Sequence, residues 1–171
     1  MFRAVNAWLE ATGVEYVITY GTLLGWQREG AILAHDRDID FGLPADSFPA
    51  VWAARAALPP GYRLRDTSHR HGGPKLYVSY RGWEADLYFF REEGERLQTI
   101  LVSDIPSDTI PFPRAWFYPR SAAVFLGVST FVPHEPIAYL THLYGYIGPN
   151  AVRDPATGYF KPRHPAGSPE S

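Results

Sequence analysis

The segment YGTLLGWQREGAILAHDRDIDFGL, Tyr20 to Leu43, ends in an acid-rich run with Asp36, Asp38 and Asp40 at every second position. Successive side chains of a strand point to opposite faces, so a strand starting here projects Asp38 and Asp40 from one face and turns Ile39 and Phe41 into the core. Two carboxylates held that close repel each other unless a cation sits between them. A hard divalent ion, Mg²⁺ or Mn²⁺, takes carboxylate oxygens together with substrate phosphate oxygens, which is the arrangement phosphoryl transfer uses.

A third carboxylate has to come from a neighbouring strand. WEADLYFF, Trp83 to Phe90, offers Asp86 between Ala85 and Leu87, with Glu84 two residues earlier on the same face. Asp86 is the preferred third acid because its neighbours place it deeper in the strand. It would help hold metal or accept the proton of an attacking hydroxyl, and Glu84 competes for that role. The plain alternative makes Asp36 a turn residue and the other two aspartates strand-edge charges. Asp36 fits either reading, whereas Asp38 and Asp40 together, preceded by Gly21 and Thr22 and followed by Asp86, favour a site.

Gly21 and Thr22 supply the other half. Glycine lets a phosphate approach the backbone, and the N-terminus of the following helix presents unpaired N–H groups. Arg28, about two turns into that helix, and Lys75, after the HGGP loop, are the basic residues in reach of a phosphate or a carboxylate. Each taken alone also reads as a solvated surface charge.

The elements that must position these residues are legible in outline. Phe2, Val5, Trp8 and Leu9 predict an opening helix over residues 2–12 that stops at Gly13. Val14 to Tyr20 reads as a buried strand, and Thr22 as the cap of a helix through Glu29 that Gly30 closes. DIDFGL is a second strand ended by Pro44, and a helix begins near Pro49. YRLRD, KLYVSY and WEADLYFF predict three more strands, with Gly82 in a hairpin turn and EEGE turning the chain again.

Ser103 to Pro119 reads as loop, and VFLGVSTFVP as a strand or hairpin. Glu135 to Gly145 reads as a final helix, and the stretch from Lys161 to Ser171 as a disordered tail. Trp116, Phe117 and Tyr118, with Tyr144 and Tyr146, either line an acceptor groove or fill the core. The fold class is α+β, a mixed β-sheet flanked by helices in a single domain over residues 1–160.

The bulk properties narrow the function. A chain of 171 residues with 46% hydrophobic and 20% charged side chains has the composition of one folded domain rather than a disordered segment. A formal net charge of −2 gives no general pull towards nucleic acid or an anionic membrane, so phosphate recognition must be local. The absence of cysteine removes thiolate catalysis, disulfides and Cys-based zinc sites. His69 and His71 in HRHGG read as a polar surface loop rather than a zinc site. The N-terminal stretch MFRAVNAWLEATG has fewer consecutive apolar residues than a signal peptide is expected to show and no window approaches the ~20 apolar residues of a membrane span, so a cytoplasmic location is expected.

These motifs together resemble the nucleotidyltransferase fold of the polymerase β type. More narrowly, the Tyr20 to Leu43 segment looks like the signature of the LicD/fukutin-related family, in which G-T-L-L-G-x-x-R leads to a D-x-D-I-D run. GVSTFVPHEPIAYLTHLYG is similar to that family's downstream element, a Val-Pro before a helix ending in Leu-x-x-x-Tyr-Gly. Arg37 stands where the family often has another acid, and the chain is shorter than many relatives.

The resemblance implies metal-dependent transfer of a phosphorylated alcohol, such as phosphocholine or a phosphopolyol, from a CDP-linked donor to a hydroxyl acceptor on a cell-surface type of glycan. It implies Asp38, Asp40 and Asp86 as ligands of Mg²⁺ or Mn²⁺, Gly21 and Thr22 against the donor phosphates, and Asp86 as base. Two other functions use the same features: a nucleotidyltransferase moving an NMP from an NTP to a small molecule or protein, and a catalytically silent binding module.

Overall fold

The computed structural model describes residues 1–101 and 105–163. In chain order its helices and strands are α1 (Phe2–Thr12), β1 (Val17–Ile18), α2 (Tyr20–Glu29), β2 (Asp38–Pro44), α3 (Phe48–Ala53), β3 (Arg63–Asp66), β4 (Lys75–Tyr80) and β5 (Trp83–Glu93). They continue with β6 (Arg96–Thr99), β7 (Phe112–Pro113), β8 (Ser121–Phe125), β9 (Val128–Val132), α4 (Pro136–Tyr144), β10 (Ala151–Arg153) and β11 (Phe160–Pro162). The main sheet runs β1-β2-β5-β4-β3, and β6 and β7 extend it beyond the far end of β5. β2 and β5 pair parallel while the other neighbours are antiparallel, so the fold is α+β with a mixed sheet flanked by helices.

Local chemistry explains most of these boundaries. The apolar stripe of α1 buries Phe2, Val5, Trp8 and Leu9, and the helix stops at Gly13, whose φ of 72° suits a residue without Cβ. Arg81 and Gly82, both at positive φ, form the two-residue turn between β4 and β5, and Leu126 and Gly127 do the same between β8 and β9. Such turns match the twist of the strands they join.

Gly25 has a different reason. A Cβ at this helical position would run into the backbone carbonyl of Ala31, so the glycine lets the chain after α2 fold back along it. Gly25→Ala is therefore expected to destabilise the protein by about 1–3 kcal/mol, the usual range for forcing extra volume into a packed site. Urea unfolding at an unchanged m-value tests it.

The sheet has two unlike faces. On one, Phe2 of α1 stacks on Phe41 with ring centroids 5.8 Å apart and meets Phe125 edge-on at 5.1 Å. The other face begins with Asp38 and Asp40 and changes character along the strands. At its far end Phe90 packs against Phe117 and Phe112, and Tyr139 of α4 closes over Phe117 at 4.7 Å. This aromatic plug bounds the acidic end of the face.

Several predicted boundaries move. The strand expected over Val14 to Tyr20 shrinks to Val17–Ile18, because Tyr20 already begins α2. Thr22 consequently lies in the first turn of the helix instead of capping it. Lys161 and Pro162, assigned to the disordered tail, form β11 against β10, and residues 164–171 of that tail lie outside the described residues. Within the stretch read as loop, Phe112 and Pro113 form β7, and Ser103 and Asp104 lie outside the described residues.

Candidate active site

The parallel pairing of β2 with β5 decides which acids meet. Its register sets Asp40 opposite Asp86 and Asp38 opposite Glu84, all on the same face. Ligand oxygens of Asp38, Asp40 and Asp86 converge to within 4.8 Å of one another. Glu84 is exposed and lines the same cleft without joining the convergent set. The cleft above these acids has a volume of about 590 Å³, within the range of small-molecule sites.

Asp40 is the inner acid, only 5% exposed. Its Oδ2 accepts the Thr22 backbone N–H at 3.2 Å and the Thr22 hydroxyl at 3.4 Å, while its own N–H donates to Thr22 Oγ1 at 2.8 Å. Thr22 thus ties the first turn of α2 to β2. Burial, and then the charges of Asp38 and Asp86, push the Asp40 carboxyl up to about 8, against the pull of the Thr22 N–H and of Lys75. A carboxylate so costly to ionise is one that a bound cation would stabilise. The donor set, three carboxylates opening on one cleft, fits a hard divalent ion.

Gly21 lines the cleft beside these acids. A Cβ there would sit 2.7 Å from Asp36 Oδ2 and 3.4 Å from Asp40 Oδ2, so glycine is what allows two carboxylates to approach the start of the helix. Asp36 lies at the rim, 3.5 Å from His35 Nε2, and stands outside the convergent triad.

The two basic residues end up in different places. Lys75 is buried and lines the cleft, but its ammonium pairs with Asp86 Oδ1 and lies 3.9 Å from the centre of the Tyr88 ring. Burial pushes its pKa down, and Asp86 opposes the fall. Arg28 is not brought to the cleft. Its Nε donates to the Ile147 carbonyl at 2.6 Å and its Nη2 to the Gly148 carbonyl at 2.9 Å, which turns the side chain towards the segment after α4.

The expectation that Arg28 meets a phosphate is corrected accordingly, because helical spacing placed the residue without saying where its side chain is used. Arg28→Ala is expected to lower the melting temperature by about 2–6 °C, as two charge-assisted hydrogen bonds at the surface would. It is expected to leave nucleotide affinity unchanged, as thermal melting and a binding titration would show.

Tyr20, Tyr77, Tyr88, Tyr144, Thr67 and Arg70 also line the cleft. Tyr77 and Tyr88 follow from strand alternation once the register is known, since Tyr77 pairs with Asp86 and Tyr88 with Lys75. Of the aromatic residues left between core and groove, Tyr144 reaches the cleft, while Phe117 is core and Trp116 stacks on Phe112. Tyr146 lines a separate pocket with Arg28 and Tyr144.

Residues 13–135 match the family model described as the LicD/FKTN/FKRP nucleotidyltransferase domain, a span that includes all three converging aspartates. The chain belongs to this family. The LicD-family protein is also 27% identical over 147 residues to the uncharacterized protein RT0683 of Rickettsia typhi, covering 84% of this chain and 44% of that relative. The chain therefore spans less than half the length of that relative.

Among solved structures, ANT(2")-Ia in complex with adenylyl-2"-tobramycin aligns at a TM-score of 0.51 and 14% identity, covering 77% of this chain and 66% of the other. The lincosamide antibiotic adenylyltransferase LnuA, bound to lincomycin, aligns at a TM-score of 0.52 and 12% identity, covering 82% and 83%. These likenesses show the nucleotidyltransferase fold. Family and fold together support a transferase, and no helix among the described residues is long and apolar enough to cross a membrane.

Proposed function

We propose that this LicD-family protein transfers a phosphorylated alcohol, of the phosphocholine or phosphopolyol kind, from a CDP-linked donor to a glycan hydroxyl. The observation that carries the reading is the convergence of Asp38, Asp40 and Asp86 beside the Gly21–Thr22 turn, within one cleft of a LicD-family chain. On this reading the three aspartates hold Mg²⁺ or Mn²⁺, which when bound neutralises phosphoryl charge and polarises the phosphorus.

The chain's own residues do the rest. On this reading the donor phosphates lie beside the first turn of α2, where Gly21 brings no Cβ against Asp36 and Asp40 and Thr22 keeps the turn fixed to Asp40. Asp86 has its Oδ1 engaged by Lys75, which leaves Oδ2 to take the proton of the attacking hydroxyl. As the acceptor oxygen bonds to phosphorus, the bond from phosphorus to the CMP oxygen breaks and CMP departs with that electron pair. Tyr77 and Tyr144 on the cleft walls offer aromatic faces to a base or a sugar ring.

The test follows the leaving group. Purified protein with Mg²⁺ or Mn²⁺ is offered CDP-alcohols, NTPs and mixed glycan acceptors while CMP and pyrophosphate are measured. CMP release with any CDP-alcohol supports the proposal and identifies the donor. Pyrophosphate release with NTPs alone would replace it by nucleotidyl transfer, and silence on every donor would favour a binding module.

A further inference from the structure

The HRHGG loop between β3 and β4 reads as a polar surface loop, yet its Arg70 and His71 line the acidic cleft. Thr67, Arg70 and His71 line the same cleft as the converging aspartates. The loop is held in shape from within. Asp66 Oδ1 accepts the Ser68 N–H at 2.8 Å, the Thr67 carbonyl accepts the Arg70 N–H at 2.9 Å, and Ser68 Oγ accepts the Lys75 N–H at 3.1 Å. A Cβ on Gly73 would strike the Ile100 side chain, so the loop sits close against the chain leaving β6. Arg70 is thus displayed from a bonded turn.

Charge balance says what this arginine faces. Lys75 is committed to Asp86, and Arg28 is committed to carbonyls outside the cleft. Lys75 together with one divalent cation matches the three converging carboxylates, and Asp36 and Glu84 add further negative charge along the cleft, so the diphosphate of a nucleotide donor needs a counter-charge of its own. Among the described residues Arg70 is the one arginine lining the cleft, and its guanidinium has no ion-pair or hydrogen-bond partner there. A planar guanidinium matches phosphate oxygens two at a time and stays charged at any working pH.

We propose that Arg70 is the donor-diphosphate contact of this cleft, taking the role that sequence spacing gives to Arg28 and Lys75. The proposal rests on the transferase reading above. It makes Arg70 a binding residue for the phosphates in the cleft that Gly21 also lines, and it assigns a function to the HRHGG loop.

Calorimetric titration tests it without turnover. Wild-type protein, Arg70→Ala and Arg70→Lys are titrated in Mg²⁺ with CDP, UDP, ADP and GDP, and then with the nucleoside of whichever diphosphate binds tightest. Arg70→Ala is expected to weaken the diphosphate about tenfold or more, with nucleoside affinity and melting temperature unchanged and Arg70→Lys in between. Equal diphosphate affinity in wild type and Arg70→Ala would overturn the proposal while leaving the transferase reading in place. Equal losses for diphosphate and nucleoside would also overturn it, since they would indicate a distorted loop. A wild type that binds none of the diphosphates would remove the transferase reading and this inference with it.

Discussion

Asp40→Asn is expected to abolish metal-dependent transfer and, at the same time, to make the metal-free protein more stable. The two effects have one origin. Asp40 is buried at the meeting point of the Asp38 and Asp86 charges, and its carboxyl is pushed up to about 8 by burial and by those charges. Asparagine keeps an oxygen for the Thr22 N–H and hydroxyl to donate to, and it removes the charge. The melting temperature should rise by about 2–4 °C, the shift that ~1 kcal/mol produces in a protein of this size.

Turnover should fall by at least about a hundredfold, since losing even an outer-shell partner of a metal site costs ten- to hundredfold. Melting curves with and without Mg²⁺, set beside CMP release, separate the effects. Mg²⁺ should raise the melting temperature of wild type and leave that of the variant unmoved. Full activity in Asp40→Asn would sink the site assignment, and a metal-free variant less stable than wild type would sink the account of the buried charge.

What could be read from the sequence is what depends on short-range geometry. The two-residue period of a strand puts Asp38 and Asp40 on one face whatever the rest of the chain does, and the glycine stops at Gly13 and Gly30 act within a single turn. The LicD-type motifs carry the fold class for the same reason: they are local patterns. The choice between Glu84 and Asp86 is different, because it depends on the parallel register of β2 against β5, which nothing local specifies.

The basic residues show the same limit. Arg28 is used by carbonyls about 120 residues further along the chain, and a helix position says nothing of that. Lys75 opens the predicted strand KLYVSY and alone reads as a solvated surface charge, but it is buried, set opposite Tyr88 with its ammonium over the aromatic ring and paired with Asp86. Arg70 is not legible as a cleft residue because a three-residue turn in a histidine-rich loop carries no periodic signal at all.

Lys75→Met tests whether that placement matters, and its expected effect on stability is the largest here. The Lys75 side chain is 6% exposed and that of Asp86 20%, so water can replace only part of the lost ammonium. Breaking a buried pair by removing one partner costs about 3–5 kcal/mol; with Asp86 a fifth exposed, about 2–3 kcal/mol is expected, a fall of roughly 4–12 °C. Methionine keeps the apolar stem over Tyr88, so the loss reports charge rather than packing.

Removing Lys75 leaves Asp38, Asp40 and Asp86 facing one another with no ammonium among them. A divalent cation should then restore more stability to Lys75→Met than it adds to wild type, because it supplies compensation that wild type already holds in part. Melting curves across a Mg²⁺ series read this directly. Equal Mg²⁺ shifts in the two proteins would mean that Lys75 and the cation do not share the acids, and the triad would then need a different counter-charge to explain how Asp40 is held at the base of the cleft.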